Sequence, residues 1–314
     1  MGKGQVRAED LHRALDAEIS KVRTGSDWAR LLDVATLFPT YGFGNVVLIN
    51  LQMPDASWVA RAETWEKLGR RVRTGQAIRI LKPLRSRTAM ADALKVAGRK
   101  YGDEGLVERQ VIGFQVGSVY DVTATTGPPI YLPRTPSHSD AVTARALWAG
   151  LEKEAASEGF VVEVCATGDA SEGYTDYRAR RVVVADHLDE FRAVARLAHE
   201  LGHVRMHSPQ VGDGMCREVR EVEAESVAYV VLAHHGLWID AESFDYIRSW
   251  AREVDPVEPA NVIKATGARV IKVARQLIDA TDRHLKEHRA PLGQVPARPL
   301  DSAFLAPDLD GPAF

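Results

Sequence analysis

The sequence holds only two cysteines in 314 residues, Cys165 and Cys216. Two thiols cannot build a disulfide framework, which excludes a small stapled secreted scaffold and fits a reducing compartment. Long apolar runs are missing too. Residues 44–53 form the most apolar stretch, well short of the ~20 residues a membrane helix needs. The polar start, Met1 to Gln5, lacks the apolar centre of a secretory signal. No period repeats along the chain, and the formal net charge is only −3. These absences leave a soluble, cytoplasmic, globular protein, long enough for two domains that each bury a core.

The near-neutral total hides an asymmetry. Residues 61–100 carry 12 Lys/Arg against 3 Asp/Glu, and residues 1–127 carry a net +5 against −8 for the rest. An excess of that kind suits a polyanionic partner for the first half, although a solvated basic face has the same composition.

Residues 6–23 and 26–37 pattern as amphipathic helices, the second capped by Ser26-Asp27. A more apolar helix follows over 44–53, ended by Pro54, and a short one near Thr64 to Leu68. Residues 77–81, 110–114 and 115–122 alternate like strands. This makes an α+β unit over 1–127. Residues 128–140, rich in proline, read as a linker, and 141–289 as a second domain. Helices are expected there over 141–158, 188–207, 218–235, 241–253 and 259–288, with strands over 160–164 and 181–185. Residues 290–314, with five prolines and no periodicity, read as a disordered tail.

The chemistry concentrates in His199-Glu-Leu-Gly-His203. Residues four apart share a helix face, so His199 and His203 can direct both imidazoles at one ion. Glu200 lies one position round, where its carboxylate reaches a water beside the metal and serves as base. Catalytic zinc takes three protein ligands and keeps a position for water. The next helix offers Glu218, Glu221, Glu223 and Glu225. Glu221 and Glu225 share a face, so Glu221 is assigned as ligand and Glu225 as acceptor for a histidine N–H. Glu218 is the fallback, and Cys216 offers a further thiol. Glu223 falls off that face and reads as a solvated charge. His207 reads as a capping or packing residue, and His234 and His235 as cations suited to a helix C-terminus. The strand before the active helix, 181–185, is expected to offer an edge for an extended substrate.

Leu197-Ala-His-Glu-Leu-Gly-His203, followed by Glu221-Val-Glu-Ala-Glu225, resembles the ImmA/IrrE-type zincin metallopeptidases over roughly residues 140–240. That resemblance implies a gluzincin-like domain with a small sheet and active-site helices. It makes one Zn2+, held by His199, His203 and Glu221, the cofactor, Glu200 the base, and a protein the substrate. In the first half, Tyr41-Gly-Phe-Gly-Asn45, Leu48 to Pro54, Thr64 to Val72 and Ile78 to Pro83 resemble the N-terminal domain of ArdC-type antirestriction proteins. One departure is Tyr41-Gly-Phe-Gly-Asn45, where that family has Tyr-Ser-x-x-Asn. The resemblance implies single-stranded DNA as a partner. Arg70, Arg71, Arg73, Arg79 and Lys82 are then candidates for phosphates, and Tyr41, Phe43, Trp58 and Trp65 for stacking bases. Two functions follow: a zinc endopeptidase coupled to a DNA-binding domain, or a non-proteolytic DNA-binding antirestriction protein with a structural or vestigial metal site.

Overall fold

A computed structural model describes residues 6–85, 111–130, 141–168, 171–207, 217–237, 251, 254–255 and 257–288. Cys216, most of the expected 241–253 helix and the tail after 288 lie outside them. The fold is α+β.

The first half opens with three helices, α1 (Ala8–Ile19), α2 (Gly25–Leu37) and α3 (Phe43–Gln52). Leu11, Leu15 and Ile19 recur every four residues and form the buried stripe of α1. Thr24, not Ser26, caps α2: its hydroxyl accepts from the Asp27 N–H (3.1 Å) while the Asp27 carboxylate accepts from the Thr24 N–H (3.0 Å). That reciprocal box satisfies two orphan donors together, and so moves the helix start earlier than the sequence suggested. Four consecutive residues of α3, Val46 to Ile49, are fully buried, so the middle of this helix is enclosed while its last turn, Leu51 and Gln52, stays exposed.

Next come β1 (Val59–Ala60), α4 (Ala62–Lys67), β2 (Arg71–Val72), β3 (Ile78–Arg85), β4 (Val111–Asp121) and β5 (Thr125–Thr126). The two strands expected over 110–122 are one continuous β4, because no turn residue interrupts the run at 114–115. It pairs antiparallel with β1 and β3 in the order β1-β4-β3, while β2 pairs with β5. The outer edge of β3 is covered by α3 side chains. The Asn45 amide exchanges two 2.9 Å bonds with the Leu81 backbone, and the Gln52 amide two of 2.8 Å with Arg79. Such cover removes an open edge that would otherwise invite strand pairing.

The second half contains α5 (Ala141–Ser157), β6 (Val161–Cys165), β7 (Gly173–Asp176), β8 (Arg181–Ala185), α6 (Glu190–Met206), α7 (Arg217–His234) and α8 (Pro259–His288). The sheet order is β6-β8-β7, with β8 parallel to β6 and antiparallel to β7. This corrects one expectation. The strand before the active helix is central, because its unbroken Val182 to Ala185 run is buried and pairs on both sides. The edge near the active helix belongs to β7.

The two halves share one buried cluster. α2 lies on α7, where the Trp28 indole N–H donates to the Ser226 hydroxyl at 2.9 Å with both groups buried, and the Tyr229 hydroxyl donates to Asp33. α8 reaches α3 so closely that Gly267 faces the Phe43 ring. No helix among the described residues is long and apolar enough to cross a membrane.

Candidate metal centre

Asp189 starts α6 by accepting from the Phe191 and Arg192 N–H groups (3.0 and 2.9 Å). Val194, Leu197, Ala198 and Leu201 then bury its inner face. Gly202 lies against α7, where a β-carbon would stand 3.0 Å from Ala224 Cα. A glycine inside a helix costs about 1 kcal/mol relative to alanine; here it permits two helix backbones to approach. The small pair Gly202/Ala224 therefore brings Glu221 and Glu225 within reach of the histidines.

The three ligand candidates converge. His199 Nε2 and His203 Nε2 are 3.0 Å apart, and Glu221 Oε2 lies 3.4 Å from the first and 3.5 Å from the second. A tetrahedral ion with bonds of about 2.0–2.1 Å sets its ligand atoms about 3.3 Å apart, so this set is spaced to hold a divalent metal. The fallback, Glu218, is exposed and outside the cluster.

The hydrogen-bond network aims the lone pairs. His199 Nδ1 donates to Glu225 Oε2 at 2.9 Å, leaving Nε2 as the acceptor nitrogen. His203 is oriented by a longer chain. Glu223, fully buried, accepts from Arg269 Nε (2.7 Å) and from His207 Nε2 (2.9 Å). His207 Nδ1 is then an acceptor, so His203 Nδ1 donates to it at 2.9 Å and His203 Nε2 is left unprotonated. Burial lowers the His207 pKa, consistent with a neutral ring. Two nitrogen lone pairs facing each other at 3.0 Å demand a positive charge between them. The electrostatics agree. Burial opposes protonation of His199, but hydrogen bonds to Glu221 and Glu225 outweigh it and raise its pKa to about 9. The same histidines hold the Glu221 carboxyl below its ordinary value.

Two expectations change here. Glu223 is not a solvated charge: α7 is packed on nearly every face, and this carboxylate is buried between His207 and Arg269 of α8. His207 does more than pack, because it carries that orientation to His203.

Glu200 is 4% exposed, and its Oε2 accepts from the Thr175 hydroxyl of β7 at 2.7 Å. It lies in a cleft of about 640 Å³ bordered by β7 on one side and α7 on the other. Tyr177 also lines the cleft, its hydroxyl buried and unpartnered among the described residues. Burial, then the nearby Glu200 charge, pushes its pKa up to about 12. Sequence reasoning missed Thr175 and Tyr177. A Tyr-Thr-Asp-Tyr run carries no spacing that points to a helix elsewhere, and only the sheet order brings it to the site.

The aromatic set of the first half is largely structural. Phe43 and Trp65 are 1% and 0% exposed, so neither presents a face to a base. A small α+β unit uses its largest rings to fill its core. Tyr41 is half-buried and donates to the Val59 carbonyl, while Trp58 is half-buried with its ring edge-on to Trp65. Arg70 is spent on the Thr125 hydroxyl and the Gly127 and Pro128 carbonyls, and Arg79 on Ser118. Arg71, Arg73 and Lys82 are exposed.

Residues 159–252 match the family model of the IrrE N-terminal-like domain, peptidase M78. The family thus bears out the metallopeptidase resemblance drawn from α6 and α7. An uncharacterized protein of Bacillus anthracis is 23% identical over 289 residues, covering 83% of this chain and 49% of the relative. The chain therefore spans about half the length of that relative. Two crystal structures of the antirestriction protein ArdC from plasmid R388 are also similar. The metal-free one is 16% identical, covers 79% of this chain and 86% of that chain, and has a TM-score of 0.46. The Mn(II)-bound one is 14% identical, covers 90% and 98%, and has a TM-score of 0.48.

Proposed function

We propose that this protein is a cytoplasmic zinc-dependent endopeptidase whose first half binds single-stranded DNA, acting in antirestriction or in mobile-element and phage DNA biology. The observation that carries the peptidase reading is the convergence of His199, His203 and Glu221 beside a buried carboxylate, Glu200, held by Thr175. A structural metal site has no use for such a carboxylate.

His199, His203 and Glu221 hold the metal, with Glu225 and the His207–Glu223–Arg269 chain fixing the imidazoles. Zinc in such a set lowers the pKa of water to about 7 and polarises a carbonyl. Glu200 takes a proton from the attacking water and later gives it to the departing amine. Thr175 orients the Glu200 carboxylate by donating to one oxygen, leaving the other for the proton. Tyr177 brings an unspent hydroxyl to the same cleft. β7 is an edge strand along the cleft, and an extended segment gains affinity by pairing its main chain there. The substrate class is an exposed or flexible polypeptide segment.

For the first half, the support is the sequence resemblance to ArdC-type proteins, the basic excess over 61–100, and the exposure of Arg71, Arg73 and Lys82. The peptidase test is Glu200→Gln, read by cleavage of a flexible polypeptide with bound zinc quantified alongside. Zinc should be retained and cleavage abolished. Persisting cleavage would refute the role of Glu200. If DNA protection survives the loss of cleavage, the non-proteolytic reading of the biology is correct.

A further inference from the structure

The wall of the cleft formed by α7 carries a charge that the metal centre leaves unspent. We propose that Arg220 is a specificity residue that receives a carboxylate of the bound polypeptide, from an acidic side chain or from a chain end, beside the metal.

The helix period puts it there. Arg217, Arg220, Glu221 and Ala224 follow the spacing i, i+3, i+4, i+7 and so form one stripe along α7. Ala224 meets Gly202 of α6, and Glu221 points at the two histidines. The same stripe therefore turns both arginines toward the cleft, whose lining includes them. Arg217 is 83% exposed, and its Nε lies 4.0 Å from Glu221 Oε1. Arg220 is half-buried. Burial and then Glu200 raise the pKa of the Tyr177 hydroxyl, whereas the Arg220 charge lowers it, so guanidinium and phenol border the same space.

A half-buried guanidinium beside a divalent-metal site is stabilised by an anion, because like charges repel more strongly as water is excluded. The chain does not supply that anion: among the described residues Arg220 has no hydrogen bond or ion pair. The acids bordering the cleft are committed elsewhere, Glu172 to Arg192 and Arg196, Glu200 to Thr175, and Glu221 to the histidines. The Tyr177 hydroxyl also lacks a partner among the described residues. This part of the cleft therefore holds donors without acceptors. A polypeptide that pairs its main chain along β7 brings its side chains over the opposite wall. There the planar fork of an arginine matches both oxygens of a carboxylate. A neutral group in that place leaves the guanidinium unpaired, and the difference is the selectivity. The inference rests on the peptidase reading for its class of ligand, a polypeptide, but recognition precedes chemistry and can be measured without it.

The test is peptide binding to the full zinc-loaded chain carrying Glu200→Gln, which stops turnover, read by fluorescence anisotropy. Three labelled peptides share one flexible Gly/Ser/Ala sequence. One has a central glutamate and an amidated end, one a central glutamine and an amidated end, and one a central glutamine and a free C-terminal carboxylate. A carboxylate peptide should bind about tenfold tighter than the neutral one, the scale of a single charge-assisted pair, and which of the two does so identifies the source. Adding Arg220→Gln should erase that advantage and leave the neutral peptide's affinity and the zinc content unchanged, and Arg220→Lys should restore part of it. Equal affinities, an advantage that survives Arg220→Gln, an equal loss for all three peptides, or no binding at all overturns the inference. So does loss of zinc in Arg220→Gln when Arg220→Lys keeps zinc but not the preference. Cleavage by the chain with Glu200 intact is measured separately. Selective binding without cleavage overturns the peptidase reading and leaves Arg220 its role; cleavage without selectivity does the reverse.

Discussion

Replacing Gly267 by alanine sets two effects of opposite sign against each other. Gly267 lies inside α8, where alanine is favoured over glycine by about 1 kcal/mol from helix propensity alone. A β-carbon there would, however, stand 2.5–2.6 Å from three carbons of the Phe43 ring. That ring is 1% exposed and tilted against Trp28 at 5.7 Å, so it has little room to retreat. Overpacking of this kind costs about 1–3 kcal/mol, and contact with three ring atoms places it at the upper end. The expected net result is a loss of about 2 kcal/mol, read as a lower midpoint in urea denaturation. Phe43→Leu in the same chain should recover most of that loss, although alone it destabilises by opening a cavity. A Gly267→Ala protein as stable as the wild type, or more so, would refute the reasoning, because propensity would then be acting without a clash. The claim that the two halves interlock through α3 and α8 would lose its support.

Gly202→Ala should weaken metal binding more than it affects stability. The new β-carbon would meet Ala224 Cα at 3.0 Å and push α7 back by tenths of an ångström, widening the gaps between Glu221 and the histidines; isothermal titration with zinc measures it. Glu172 accepts from Arg196 and Arg192, and these partners hold its carboxyl below its ordinary value. Its contribution is therefore present above the unfolded pKa of about 4.3 and lost as pH falls through the folded value. Glu172→Gln should destabilise the chain slightly at pH 6, by the ~0.2–1 kcal/mol of a solvent-accessible pair, and the difference in urea midpoint from the wild type should shrink as pH is lowered. Single-stranded oligonucleotide affinity should fall with log salt, and Arg71→Gln with Arg73→Gln should flatten that slope by about 0.7 per lost contact. An unchanged slope would remove those two residues from the interface.

The candidate metal site was legible because its information is local. His199, Glu200 and His203 sit on one helical turn, and Glu221 and Glu225 repeat the same spacing on the next helix. Periodicity failed for Glu223, since it assumes a helix with a solvent face. α7 has almost none, being enclosed by α2, α6 and α8, and only that enclosure explains a carboxylate buried beside Arg269. The rings of Phe43 and Trp65 were misplaced for a related reason. Basic charge interleaved with aromatics looks the same whether the rings face a nucleic acid or the core. The order β6-β8-β7 is a long-range pairing, so the sequence placed an edge on 181–185 where the structure has it on 173–176. The junction of the halves, Trp28 against Ser226, joins residues 198 positions apart and leaves no trace in any local pattern.

The central claim is that His199, His203 and Glu221 hold a catalytic divalent metal. Anomalous diffraction at the zinc edge from zinc-loaded crystals tests it most directly. A peak is expected about 2.0–2.2 Å from His199 Nε2, His203 Nε2 and one Glu221 oxygen. A peak that leaves out Glu221, or none between the two histidines, would contradict it.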